Sequence, residues 1–447
     1  MSTPTADSAA HAPTHRFGAD LLRIATAGSV DDGKSTLVGR LLYDTKSVLA
    51  DQIDAVTKAS VDRGMDTPDL SLLVDGLRAE REQGITIDVA YRYFATPERS
   101  FVLADTPGHV QYTRNTVSGA STAQLVILLV DARNGVVAQT RRHAAVMALL
   151  GVPRLVLAVN KIDLVDDAES VFKQVSAEFG EITRSLGYSD DQVLEIPVSA
   201  LRGDNIARRS EDTPYYDGPT LIEHLETVPN QPDRRPVGLR FPVQYVIRPR
   251  TPDYPDYRGY AGQVAAGSVS VGDEIVVLPS GQRTRIAKID TPDGELPTAH
   301  AGRSVTLLLA DDVDVSRGDL IAATADSPEP SQQFTATVCW LGDKPLRPGA
   351  RLLLKHGTKT TPVIIGDLQT LFDEQDLALI DAPETVELNQ IGRISLTTAE
   401  PVAADDYQVN RETGSFLLID PAGGNTLGAG LIGDALENLD LSSVALV

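Results

Sequence analysis

Nine residues, GSVDDGKST from Gly28 to Thr36, directly continue the apolar run LLRIATAG (Leu21–Gly28). Gly28, Gly33, Lys34 and Ser35 stand at the places required by the phosphate-loop spacing G-x-x-x-x-G-K-[ST]. This feature constrains the fold most. A strand must run into a tight loop, and that loop must open a helix. At a helix N-terminus backbone N–H groups converge on an anion, with the helix dipole adding to the attraction. The stretch KSTLVGRLLY supplies the helix, with Leu37, Val38, Leu41 and Leu42 on one face. The loop residues Ser29, Val30, Asp31, Asp32, Gly33 and Thr36 are candidate phosphate-binding positions. Lys34 is the candidate to bridge the β- and γ-phosphates, and the Ser35 hydroxyl to bind Mg²⁺.

Further short, β-branched apolar runs follow: SFVLADTPG, AQLVILLVDA, RLVLAVNKID and VLEIPVSA. Nearly continuous apolar runs are expected of strands buried on both faces of a parallel sheet. Amphipathic stretches such as TRRHAAVMALLG lie between them, giving a βαβ series and hence a doubly wound α/β domain. Near ETVPNQPDRRPVG the texture changes to a proline- and charge-rich linker. Beyond it the strands are short and separated by Gly, Pro and Asp, as in an all-β barrel. A second hinge, ADSPEPSQQ, precedes another all-β segment. The expected organisation is a disordered tail over 1–19, a nucleotide-binding α/β P-loop domain over 20–232, and β-barrels over 237–326 and 331–447.

The chemical motifs each follow a strand, where ligands bind in an open parallel sheet. In DTPGH, Asp105 can hold Mg²⁺ through water and the Gly108 N–H can sense a γ-phosphate, an interaction that exists only before hydrolysis. His109 follows directly and is the candidate to orient the attacking water, with packing as the alternative role. In NKID, the Asp163 carboxylate can accept from N1–H and N2–H₂ of guanine. Adenine leaves such a group unpaired, and sites of this kind discriminate by about 10⁴ to 10⁵. Asn160 is expected to tie this loop to the phosphate loop, and the Lys161 stem to cover the ring. The SAL loop, Ser199, Ala200 and Leu201, can offer a backbone N–H to guanine O6. In EREQGITID, Thr86 is the candidate hydroxyl that completes the Mg²⁺ shell and meets the γ-phosphate. A long polar stretch from Thr45 to Gln83 precedes it, as a mobile switch requires. The expected ligands are therefore GTP and Mg²⁺.

Composition narrows the partners. The 447 residues carry a formal charge of −22, and from Val237 onward there are 16 basic against 29 acidic residues. A pair of barrels that grips RNA needs basic patches, so this balance disfavours a nucleic-acid partner. The single cysteine, Cys339, excludes an internal disulfide framework and reads as a small core hydrophobe within the strand TATVCWLG. The N-terminus has no basic start followed by an apolar run, and the longest apolar run is too short to cross a bilayer. A soluble, cytoplasmic protein is expected.

GTPase motifs followed by two barrels resemble the translational GTPases typified by elongation factor Tu. Within that superfamily, GSVDDGKSTLVGRLLYDTK has Ser29 and Asp32 where translation factors usually show His. Together with LVDGLRAEREQGITIDVAYRYF, DTPGHVQYTRNTVSGASTA and QVNRETGSFLLIDPAGGNTLGAGLI, it looks like the large, GTP-hydrolysing subunit of bacterial sulfate adenylyltransferase. The resemblance implies a small ATP-binding partner subunit that makes adenylyl sulfate and pyrophosphate from ATP and sulfate, with GTP hydrolysis driving that unfavourable transfer. It also implies that Val30 and Ile85 flank His109 as an apolar gate. Some family members continue into an adenylylsulfate kinase domain. No second phosphate-loop pattern occurs here, so phosphorylation of adenylyl sulfate is not expected. The competing reading is a translation elongation-type GTPase that binds aminoacyl-tRNA.

Overall fold

The computed structural model describes residues 20–62, 68–74, 89–106, 113–230, 237–249, 256–373 and 378–436. Among them, six strands form the N-terminal sheet: β1 (Leu21–Gly28), β2 (Ala90–Ala95), β3 (Ser100–Asp105), β4 (Leu125–Asp131), β5 (Leu155–Asn160) and β6 (Val193–Pro197). Their order is β2-β3-β1-β4-β5-β6. All neighbours are parallel except β2, which pairs antiparallel with β3. Every side chain of β4 and β5 is buried, because helices cover both faces. On one face Ile24, Leu103, Ile127, Leu129 and Val156 meet Leu37, Val38 and Leu41 of α1 (Lys34–Asp44). On the other, Ala25, Ala104, Val126, Leu128 and Leu157 meet three helices: α3 (Thr113–Ala120), α4 (Ala138–Leu149) and α5 (Ala168–Ser185). The chain leaves β1 where its neighbours β3 and β4 turn to opposite sides, so the phosphate loop sits at the switch point of the sheet.

Within the polar stretch from Thr45 to Gln83, the described residues include two regular elements. Ala50–Asp62 is helix α2, and Leu70–Leu73 forms a 3₁₀ turn. The turn lies so close on α1 that a Cβ on Gly39 would come within 2.1 Å of the Leu70 carbonyl oxygen. The stretch reads as polar because α2 buries only Val56 and Ser60, leaving most of its surface to water.

Beyond residue 237, antiparallel strands pair in succession through Arg240–Pro242, Leu320–Ala323, Glu274–Leu278, Gln282–Thr291, Ser304–Leu309, Gly259–Gln263 and Tyr245–Ile247. A bridge between Arg240 and Ala266 draws the ends of this sheet together. In the last unit the circuit closes fully. The strand Arg351–His356 pairs with both Ser415–Ile419 and Lys359–Asp373, and the strands Ile391–Val402, Ser331–Trp340 and Thr426–Ile432 complete the ring. The expected class, a P-loop α/β domain followed by all-β barrels, is the observed one.

The units are joined by specific contacts. Arg240 of the middle barrel and Asp405 of the last are both buried, with guanidinium and carboxylate 3.0 Å apart. The last barrel packs on α3 and α4. Cys339, Phe372, Ile391 and Leu436 belong to the same apolar cluster as Val117, Val146, Leu149 and Leu150. Cys339 is thus a buried hydrophobe, as its strand implied, but it serves the interface between two domains.

Candidate nucleotide site

Lys34 is the first residue of α1, and its side chain turns back over the loop. Its ammonium donates to the carbonyls of Gly28 and Ser29, both at 2.7 Å. Burial pulls its pKa below the ordinary lysine value, against the opposing pull of Asp32, Asp105 and Asp31. Asp32 is itself buried, and its carboxylate accepts the Ser29 N–H at 2.6 Å. Burial raises its pKa, while that hydrogen bond and Lys34 oppose the rise. Gly33 caps the helix at φ 94°. A Cβ there would approach the Asn160 amide nitrogen to 2.4 Å, so this position needs glycine twice over. Ser35 and Thr36 are half-buried on the first helical turn, and Asp31 and Val30 lie exposed on the loop.

Asp105 ends β3. The parallel register sets it opposite Thr26, whose hydroxyl donates to its carboxylate at 2.9 Å. The Thr106 hydroxyl returns a bond to the Thr26 carbonyl at 2.6 Å. Thr26 therefore fixes the orientation of the candidate metal-binding carboxylate.

Asn160 ends β5 and joins three loops. Its amide donates to the Asp32 carbonyl at 2.7 Å and accepts the Ala200 N–H at 2.9 Å. Lys161 adopts a left-handed conformation, φ 60°. That bend sends its ammonium to the Asp31 carbonyl, at 2.5 Å, and to the Asp131 carboxylate, at 2.9 Å. Asp163 sits on a 3₁₀ turn, Ile162–Leu164, with its side chain only 8% exposed and Arg202 Nε 3.3 Å from one carboxylate oxygen. Ser199 and Ala200 are buried and Leu201 is exposed. Arg40 of α1 donates to the carbonyls of Ala200 and Leu201, at 3.1 and 2.5 Å.

The phosphate loop, Asp105, the NKID loop and the SAL loop thus meet at the carboxyl ends of β1, β3, β5 and β6. Thr86, Gly108 and His109, with Ile85, lie outside the described residues. Sequence reasoning missed Thr26, Arg40, Asp131 and Arg202. The only trace of them in the sequence is position: each stands on an element that borders a motif.

Residues 19–231 match the Elongation factor Tu GTP binding domain family, and residues 333–433 match the GTP-eEF1A C-terminal domain-like family. Sulfate adenylyltransferase subunit 1 of Alteromonas mediterranea is 46% identical over 93% of this chain and 88% of its own length. The chain belongs to the sulfate adenylyltransferase subunit 1 family. The Bifunctional enzyme CysN/CysC of Mycobacterium tuberculosis is 54% identical over 92% of this chain, which spans 67% of that longer protein. A solved structure of Sup35 complexed with GMPPNP aligns over 93% of this chain and 94% of its own, at 24% identity and a TM-score of 0.42. Members named subunit 1 belong to an assembly with at least one other subunit, and the nucleotide domain of this chain is a GTP binding domain. Among the described residues, no helix is long and apolar enough to cross a membrane.

Proposed function

We propose that the chain is the GTP-hydrolysing subunit of a cytoplasmic sulfate adenylyltransferase. It couples GTP hydrolysis to formation of adenylyl sulfate and pyrophosphate from ATP and sulfate on a small ATP-binding partner. The observation that carries this reading is the 46% identity to a sulfate adenylyltransferase subunit 1 across 93% of the chain.

The chain's own residues have assignable roles. The N–H groups of the loop and of the first turn of α1 cradle the phosphates, and Lys34 neutralises the β- and γ-oxygens. Asp163 reads the guanine edge, with Asn160 holding its loop on the phosphate loop. The residues fit Mg²⁺: a buried Asp105 carboxylate at a strand end and the Ser35 hydroxyl give a donor set of hard oxygens. Thr86 would complete that set. Bound there, the ion would neutralise charge that develops on the phosphate oxygens. Gly108 senses the γ-phosphate, and His109 orients the attacking water behind Val30 and Ile85. Because the γ-phosphate is present in only one nucleotide state, hydrolysis shifts the balance between two conformations offered to the partner.

The test is a reconstituted assay with ATP, sulfate, this chain and the small subunit. Steady-state adenylyl sulfate rises with GTP and much less with a non-hydrolysable analogue, and this chain alone forms none. Equal yield with and without hydrolysable GTP refutes the coupling. Tight, salt-sensitive binding of aminoacyl-tRNA would replace it with the translation-factor reading.

A further inference from the structure

Asp131 is a heavily bonded buried carboxylate beside the site, and none of the motifs includes it. It is the last residue of β4, and the parallel register sets it opposite Asn160, one residue before Lys161. The Ala132 N–H donates to the Asn160 carbonyl at 2.8 Å, which locks the two strand ends together. The side chain of Asp131 is 2% exposed. One carboxylate oxygen accepts the Arg133 N–H and Nε, both at 3.0 Å. The other accepts Arg133 Nη2 at 2.6 Å and Lys161 Nζ at 2.9 Å. Burial alone would raise this carboxyl, but the bonds from Arg133 and Lys161 outweigh it and hold it well below the usual carboxylate range. It therefore stays charged at any working pH.

Lys161 is the residue that this charge steers. Its ammonium sits between Asp131 and the carbonyl of Asp31 at the tip of the phosphate loop. Lys161 and Asp31 are both non-glycine residues with positive φ, 60° and 70°, a conformation that needs support from its surroundings. A lysine stem is flexible and loses rotamer entropy when fixed. Here a buried anion and a loop carbonyl both hold its ammonium, which fixes it.

We infer that Asp131 is a positioning residue for nucleotide retention: it anchors the Lys161 ammonium so that the lysine stem spans from the guanine loop to the phosphate loop and closes over the purine ring. It acts through Lys161, on any purine nucleotide the loops hold, and takes no part in reading the guanine edge. This rests on the guanine-nucleotide reading of the site.

The experiment measures release of fluorescently labelled GDP and of labelled inosine diphosphate from the full chain. The variants are Asp131→Asn, Lys161→Ala and the double variant. Asp131→Asn is expected to speed release of both nucleotides about tenfold and by the same factor, since inosine lacks only the 2-amino group read by Asp163. Lys161→Ala speeds release at least as much, and the double variant no more than Lys161→Ala alone, because the two residues act as one unit. Multiplying effects, unchanged release, or a loss confined to the guanine nucleotide overturns the inference. Should Asp131→Asn fail to fold, Asp131→Glu keeps the charge beside Arg133 but displaces the oxygen. It is expected to speed release of both nucleotides several-fold, and unchanged release overturns the inference equally. Failure of the unaltered chain to retain GDP would instead refute the guanine-site reading.

Discussion

The hydroxyl of Tyr407, in the last barrel, donates to the carbonyl of Leu150 at the C-terminal end of α4, at 2.8 Å. The same oxygen accepts Nε of Arg411 at 3.1 Å, and that guanidinium donates in turn to the Ala123 carbonyl at 3.0 Å. The barrel therefore grips the ends of two helices of the nucleotide domain. One of them, α3, begins at Thr113, just after the segment that carries Gly108 and His109. Replacing Tyr407 with Phe keeps the ring packing and leaves a buried carbonyl and a guanidinium short of one partner. The expected loss is about 1–2 kcal/mol, read as a lower urea midpoint with an unchanged slope. An unchanged midpoint would show that the hydroxyl contributes nothing to the folded assembly.

In the proposed site, nucleotide choice is assigned to Asp163. Asp163→Asn is expected to weaken GTP and to favour xanthosine triphosphate, because an amide can donate to the 2-oxo group that replaces the guanine amine. Arg202, 3.3 Å from that carboxylate, loses a charged partner in the same variant, so its surface position should soften the effect on stability. A competition binding assay decides the matter. Retention of the GTP preference removes Asp163 from base recognition.

Phosphate and metal contacts, and activation of the attacking water, are tested at three positions. Lys34→Ala and Ser35→Ala are each expected to abolish Mg²⁺-dependent hydrolysis, since positioning and charge neutralisation supply most of such catalysis. His109→Ala should keep affinity within a few-fold yet slow single-turnover hydrolysis by roughly 10² or more. Wild-type turnover by the first pair would exclude the phosphate-loop roles. An unaltered single-turnover rate in the third would return His109 to packing.

His143 of α4 gives the fold an acid sensitivity. It is wholly buried, and burial pushes its pKa from 6.5 down to about 3, with the charges of Lys34 and Arg142 adding to the fall. Above pH 6.5 the residue is neutral in both states and costs nothing. Between 6.5 and 3 the unfolded chain takes up a proton that the folded chain refuses, so stability falls as pH falls, by up to about 1.4 kcal/mol per unit. His143→Gln should remove that component. The difference in unfolding temperature between the two proteins should therefore shift in favour of the variant from pH 7 to pH 4. A constant difference across that range would contradict it.

Much of this protein was legible in its residues taken in order. A strand, a glycine loop and a helix are local elements, and the spacing from Gly28 to Ser35 encodes all three. The continuous apolar runs marked strands covered on both faces, and the NKID and SAL loops pointed to guanine, because each motif is short and its chemistry belongs to its own residues. Helix α2 was not evident in the sequence, because an exposed helix and an irregular polar segment have similar composition. Tertiary structure alone decided which groups hold the motif residues in place. Thr26 meets Asp105 across 79 positions, Arg40 meets Ala200 across 160, and Lys161 meets Asp131 across 30. These meetings depend on the register of parallel strands joined by crossover helices. Register is set by how both faces of the sheet pack, and uniformly apolar strands such as β4 and β5 carry no alternation from which it could be read. For the same reason Cys339 declared itself buried, but only the docking of the last barrel on α3 and α4 decided against what.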